Sequence, residues 1–208
     1  MSAQPSLVER TQGATDARLE TACGRVIELP VERWWAHPSP EEAPVLDLAL
    51  SATLDVGCGP GRHVIDLLGR GVAAVGIDNA RGAVEAARRR GAEVLHRSIF
   101  DRIPNEGRWG TTLLMDGNVG IGGDPDRLLR RCRRLLREGG RALVELSAPG
   151  ERTGSLKVRA AWADARTDWF PWACVSADHV EPIADACGFD TVQVWGSSGR
   201  WFARLDAR

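Results

Sequence analysis

Short apolar runs alternate along the chain with longer stretches in which apolar residues recur every three to four positions. The runs at 53–56, 72–77, 92–96, 111–115 and 142–146 have the length and branched content of buried strands. The stretches between them carry helical periodicity. The clearest follows Asp124-Pro125, a capping aspartate with proline in the first turn. There Leu128, Leu129, Cys132, Leu135 and Leu136 form an apolar stripe, and Arg127, Arg130, Arg131, Arg133, Arg134 and Arg137 form the solvated face. Gly139-Gly140 reads as the stop. This alternation predicts a doubly wound α/β fold.

The flanks depart from the pattern. Residues 2–16 are polar and aperiodic, and are expected to be mobile. Residues 26–30 read as an extended segment, followed by Trp34, Trp35 and His37. The first 40 residues are therefore read as an extension or lid ahead of a domain spanning 41–208, with removal of residues 1–24 expected to leave the fold intact. After 146 comes a polar loop at 147–154, then a loop-rich region with Trp162, Trp169 and Trp172. Those tryptophans suit an aromatic wall or a satellite core equally well. A helix at about 176–187 precedes two apolar runs, 191–195 and 201–205, joined by Gly196-Ser197-Ser198-Gly199, which predicts an antiparallel hairpin.

The candidate chemistry lies where the first run meets the first helix, at Asp55-Val56-Gly57-Cys58-Gly59-Pro60-Gly61-Arg62-His63. Gly57 and Gly59 permit backbone conformations that side chains forbid, and Gly61 lets the helix start close against a ligand. A dinucleotide fingerprint needs its third glycine where Arg62 stands. Asp55 would repel a pyrophosphate and attract an ammonium group, so the loop suits a nucleoside bearing an amino acid. Asp78 ends the second run 17 residues beyond Gly61, where a carboxylate can accept ribose hydroxyls. Asn79 follows it, and Ser98-Ile99-Phe100-Asp101 follows the third run. Taken singly, each of these aspartates suits a helix cap or turn as readily as a ligand contact.

The Asp-x-Gly-x-Gly-x-Gly motif with acids at successive strand ends resembles class I S-adenosylmethionine-dependent methyltransferases. The resemblance extends over about residues 41–208. It implies a Rossmann-like sheet of seven mostly parallel strands closed by the C-terminal hairpin, with S-adenosyl-L-methionine as cofactor and S-adenosyl-L-homocysteine as product. Cofactor contacts are expected from Asp55, Gly57, Cys58, Gly59, Gly61, Arg62 and His63, from Asp78 at the ribose, from Asn79, Ile99, Phe100 and Asp101 around the adenine, and from Asp116 and Trp34. Candidate catalytic residues are Asp116 and Asn118 beyond the fourth strand, Glu145 in the fifth, and His37 or His179 as a base. His63 is expected to brace the loop, and His96 to lie far from the chemistry. The Asn-Pro-Pro-Tyr type of motif is absent after the fourth strand, which argues against amino methylation of DNA.

Composition narrows the rest. At 208 residues and a net charge of −1, the chain suits one domain and a small-molecule methyl acceptor, with no bulk attraction to nucleic acid. No apolar stretch reaches the length of a membrane span, so a cytoplasmic monomer or homodimer is expected. The five cysteines show no paired or metal-ligand spacing. Two other readings stay open: an NAD(P)-linked oxidoreductase, and an S-adenosylmethionine-binding protein without catalysis. Separately, the aromatic segment 34–37 is expected to order over a bound cofactor.

Overall fold

The computed structural model describes residues 17–208, so the polar stretch 2–16 and its expected mobility lie outside the described residues. Its strands are β1 (Arg18–Thr21), β2 (Val26–Glu28), β3 (Thr53–Val56), β4 (Ala74–Asp78), β5 (Val94–His96), β6 (Trp109–Leu114), β7 (Leu136–Leu146), β8 (Gly154–Ala161), β9 (Phe170–Cys174), β10 (Phe189–Ser197) and β11 (Arg200–Ala207). The helices are α1 (Val31–Trp35), α2 (Ala43–Asp47), α3 (Arg62–Gly69), α4 (Arg81–Arg89), α5 (Pro125–Leu135) and α6 (Val180–Ala186). A 3-10 segment, Asn118–Gly123, links β6 to α5.

Seven strands form the main sheet in the order β10-β11-β7-β6-β3-β4-β5. Strands β7, β6, β3, β4 and β5 run parallel, and β11 lies antiparallel between β7 and β10. This is the mostly parallel sheet with a C-terminal hairpin that the alternation and the resemblance imply. Every residue of β3 and β6 is buried, as expected of central strands covered on both faces. Leu114 faces a core shared with Leu128, Leu129 and Val180, from α5 and α6, while its neighbour Leu113 faces one shared with Val45, Val64 and Val84, from α2, α3 and α4. Chain order reverses between β3 and β6, and the crevice at such a reversal is where doubly wound sheets bind ligands.

Two readings of the sequence are corrected here. Helix α5 ends at Leu135, and Leu136 is already extended, so Gly139-Gly140 is no helix stop. A Cβ on Gly140 would lie 2.9 Å from the Arg137 carbonyl and 3.1 Å from that of Gly110, so glycine there lets β7 approach the start of β6. The second correction is larger. Residues 18–28 and the region read as loop-rich form a four-stranded antiparallel sheet, β2-β1-β8-β9, with Leu19 opposite Ala160 and Leu156 opposite Trp172. Residues 18–21 and 26–28 are thus strands of this second sheet, and Val31 and Trp34 of α1 pack into its core. Trp162, Trp34 and Trp172 join its core with Leu19, Val31 and Val158. For Trp162 and Trp172 satellite packing is the observed reading, whereas Trp169 is exposed with the Arg159 guanidinium 4.7 Å from its ring centre.

The second sheet is fastened to the first through the 3-10 segment. A Cβ on Gly120 would lie 2.1 Å from the Ala173 carbonyl, and one on Gly123 2.8 Å from Pro171. Ser155 Oγ donates to the Gly123 carbonyl at 2.6 Å. Strand β9 thus lies directly on the backbone that leaves β6.

Candidate cofactor site and active site

At the end of β3 the chain turns through three glycines with positive φ: Gly57 (+70°), Gly59 (+52°) and Gly61 (+80°). The Gly57 and Cys58 N–H groups both donate to the Ile77 carbonyl, at 2.9 and 3.1 Å, which ties the loop to β4. Gly61 caps α3, and a Cβ there would lie 2.7 Å from Ala92 Cβ, so this glycine lets α3 pack against the α4–β5 connection. Gly59 alone of the three faces open space, with nothing within 4 Å of a Cβ built on it. The Cys58 thiol donates to the Gly59 carbonyl at 3.8 Å. Its buried sulfur packs over Gly76, and burial, with Asp55 and Asp78 nearby, pushes its thiol well up.

Asp78 accepts the Gly59 N–H on Oδ2 at 3.0 Å and the Ala80 N–H on Oδ1 at 2.8 Å. Each oxygen keeps a lone pair for a ligand hydroxyl. Burial raises its pKa. Asp55 is 1% exposed, and its Oδ2 accepts no hydrogen bond; the nearest cationic atom is His63 Nδ1 at 3.8 Å. An orphaned buried carboxylate oxygen, an open glycine and a ribose-type acid fit a nucleoside that carries an ammonium-bearing tail.

Asp101 is exposed, and its Oδ2 accepts the Ser98 N–H at 2.9 Å, so its carboxylate closes its own turn. Ile99 is buried, and Phe100 lies half-buried under the Arg127 guanidinium, 4.1 Å from ring centre. Asn79 is exposed, and its carbonyl lies 3.1 Å from His96 Nε2. Arg131, which the helical pattern put on the solvated face, is buried and donates to the Ile99 and Asp101 carbonyls at 3.0 and 2.8 Å. Helical periodicity missed it because the turn after β5 folds back over that side of α5.

Beyond β6 and β7 lies a network of buried charges. Arg62 donates twice to Glu42, at 2.7 and 2.5 Å, and twice to Asp116, at 2.8 and 3.0 Å. Arg200 donates to both Glu145 oxygens, at 2.8 and 2.7 Å, and to Glu42 at 3.1 Å. The Asp116 N–H donates to Glu145 Oε2 at 2.6 Å. His63 Nε2 lies 3.1 Å from Glu42 Oε1. Burial alone would raise the Glu42 carboxyl, yet the hydrogen bonds with His63 and Arg62 hold it well below the usual range. Burial alone would lower the His63 pKa, yet Asp55 and Glu42 raise it to about 9. Glu42 and Arg200 carry no sequence signal, because a lone glutamate before a short helix and an arginine at a hairpin form no motif. Only the fold joins them.

Asn118 donates to the Val56 and Gly57 carbonyls at 2.8 and 3.0 Å, so it pins the glycine loop. The other histidine candidates lie apart from this network. His37 is exposed. His179 is exposed at the start of α6 and pairs with Ser176 Oγ at 2.9 Å and Asp178 at 3.1 Å through one nitrogen, Nδ1. Trp34 packs its ring into the second sheet, and Arg90 holds the end of α1 by donating to the Trp34, Trp35 and Pro60 carbonyls at 3.5, 3.1 and 3.3 Å. The segment that was expected to order over a cofactor is thus already fastened to the glycine loop. Among the described residues, no cluster of histidine, cysteine, aspartate or glutamate could hold a metal ion.

Fold and loop together define a doubly wound protein with a nucleoside-type site at its topological reversal. Residues 53–140 match the methyltransferase domain family. The structure resembles a SAM-dependent methyltransferase from Bacteroides fragilis solved with S-adenosyl-L-homocysteine, at TM-score 0.80 and 25% identity over 97% of this chain and 91% of that one. It also shares its fold with the sugar N-methyltransferase KedS8 from Streptoalloteichus, at TM-score 0.63 and 19% identity over 82% and 87% of the two chains. A Burkholderia thailandensis 1,6-didemethyltoxoflavin-N1-methyltransferase gives TM-score 0.60 at 15% identity over 81% and 78%. An uncharacterized protein of Mycobacterium tuberculosis is 31% identical over 121 residues, 58% of this chain and 38% of that protein, so the chain spans well under half of that relative's length. Residues 53–140 thus resemble a methyltransferase domain, set in a fold shared with S-adenosylmethionine-dependent methyltransferases.

Proposed function

We propose that this protein transfers the methyl group of S-adenosylmethionine to a small-molecule acceptor by in-line displacement. The observation that carries the reading is the unsatisfied Asp55 Oδ2 beside the open Gly59 and the Asp78 carboxylate, three features that suit the ammonium tail and ribose of that cofactor. When bound, the cofactor supplies a sulfonium whose S–CH3 bond breaks as the acceptor–CH3 bond forms, the sulfur keeping the electron pair. The protein's share is positioning, which can supply up to roughly 7–11 kcal/mol of rate enhancement in favourable cases. Asn118 holds the loop, and the second sheet closes over the ends of β6 and β7. Asp116 and Glu145 are committed to Arg62 and Arg200, and His37 and His179 lie outside the network. We therefore favour an acceptor whose nucleophile needs no protein base.

Calorimetry of the purified protein with S-adenosylmethionine, S-adenosylhomocysteine and NAD tests the cofactor. Binding of the first two and not the third is the expected outcome, and binding of NAD alone would overturn the reading in favour of an oxidoreductase. Asp78→Ala is expected to weaken cofactor binding by about 1.5–3 kcal/mol, the range for hydrogen bonds to a charged group. Turnover in an acceptor screen separates an enzyme from a cofactor-binding protein without catalysis.

A further inference from the structure

The proposed cofactor has three parts in line: an amino-acid tail, a ribose and a base. The tail is assigned to the end of β3, at Asp55, and the ribose to the end of the neighbouring β4, at Asp78. A base attached to that ribose continues away from β3, toward the end of β5, the next strand of the sheet. The turn that follows β5 lies close to the ribose acid, since the Arg97 N–H donates to the Asp78 carbonyl at 3.0 Å. Within this turn the Asp101 carboxylate commits Oδ2 to the Ser98 N–H, while its Oδ1 takes no hydrogen bond among the described residues.

The groups that hold this turn come from a distant element. Arg131 of α5 is 5% exposed, and its guanidinium forks onto the turn. Its Nε donates to the Ile99 carbonyl at 3.0 Å and one terminal nitrogen to the Asp101 carbonyl at 2.8 Å, while the other donates to Glu106 at 2.6 Å. One helical turn earlier, on the same face of α5, the Arg127 guanidinium lies 4.1 Å from the centre of the Phe100 ring. A planar fork fixes two carbonyls at once, which the single ammonium of a lysine does not. The tail and ribose groups have ties of their own that do not involve α5: the Gly57 and Cys58 N–H groups bond to Ile77, and the Gly59 N–H to Asp78.

We propose that Arg131, seconded by Arg127, is a positioning residue that sets the turn after β5 for recognition of the cofactor's base, so that α5 governs selectivity for adenine by acting through the turn. The inference rests on the proposed function. The free Asp101 Oδ1 is an acceptor suited to the exocyclic amino group of adenine. Hypoxanthine presents a carbonyl at the same position, which a carboxylate repels. Releasing the grip of α5 blurs that distinction and leaves the tail and ribose contacts in place.

The test compares the dissociation constants of S-adenosylhomocysteine and its inosine analogue, S-inosylhomocysteine, by calorimetry on the full chain, with circular dichroism to check folding. The wild type is expected to favour the adenine ligand. Arg131→Met keeps an unbranched stem but removes the donors, and is expected to cut that preference by roughly 2- to 12-fold, the worth of one ordinary hydrogen bond. Arg127→Gln is expected to cut it in the same direction by less. Lost packing alone would lower Tm and weaken both ligands together, leaving the ratio where it was. An unchanged ratio in Arg131→Met overturns the proposal, as does a wild type that binds both ligands equally. If Arg131→Met does not fold, Arg127→Gln, at an exposed position, decides alone: a reduced preference supports the proposal and an unchanged one overturns it. Each of these failures leaves the proposed function standing, whereas a wild type that binds neither ligand sinks that function together with this inference.

Discussion

His63 shows how one buried side chain links the cofactor loop to the stability of the whole fold. Its pKa rises from the ordinary 6.5 to about 9 because it is wedged between Glu42 and Asp55. A group whose pKa is raised on folding stabilises the native state fully below its unfolded value, and the contribution fades as pH climbs through the folded one. The loss therefore falls between about pH 6.5 and 9 and is on the order of 3 kcal/mol. Toward the upper end of this window the buried thiols add to the loss, since burial raises Cys58 and Cys132 above the ordinary thiol value of about 8.5. Thermal unfolding across pH 6 to 10 should show a fall of several degrees in Tm for the wild type and a flatter curve for His63→Gln. A wild-type Tm that holds steady through pH 9 would mean that His63 is neutral in the folded state. The placement of Gly59 and Asp78 at neighbouring strand ends was readable in advance because it follows from local spacing. Arg131, Glu42 and Arg200 were not, because their partners lie 20 to 158 residues away in sequence.

At the level of elements, the parallel strands were legible because burial on both faces leaves continuous apolar runs such as residues 111–115. The second sheet carried a subtler sign. Leu156, Val158 and Ala160 alternate with Ser155, Lys157 and Arg159, which is a half-buried strand pattern, but two tryptophans and turn residues beyond it drew attention to a loop. Its partner β1 is four residues long, too short for periodicity to show. The pairing changes what truncation should do. Deleting residues 1–24 removes a strand that pairs along its whole length with β8, along with the buried side chains of Ala17, Leu19 and Thr21. The deletion is expected to lower Tm markedly, and Leu19→Ala to cost about 2–4 kcal/mol in denaturant unfolding. A truncated protein with wild-type Tm would mean that the second sheet stands without β1.

For the molecule as a whole, the position of β11 matters most. It is last in chain order yet lies inside the main sheet, and Phe202, Ala203 and Leu205 are buried. A chain stopped after Gly199 would leave the β7 edge unpaired and uncover Phe202's place in the core, so it is expected to be recovered in the insoluble fraction without a cooperative melting transition. During synthesis the same geometry imposes an order. The glycine loop and its flanking strands leave the ribosome early, but the sheet cannot close until residues 200–207 emerge, and at roughly 5–20 residues per second the nascent chain carries an open hydrophobic edge for several seconds. Arg200, which seals the charge network beside the loop, arrives with that same strand. The charge network is therefore completed only after this strand has emerged, and codons that slow the ribosome over this segment would prolong the nascent chain's exposure to chaperones and proteases.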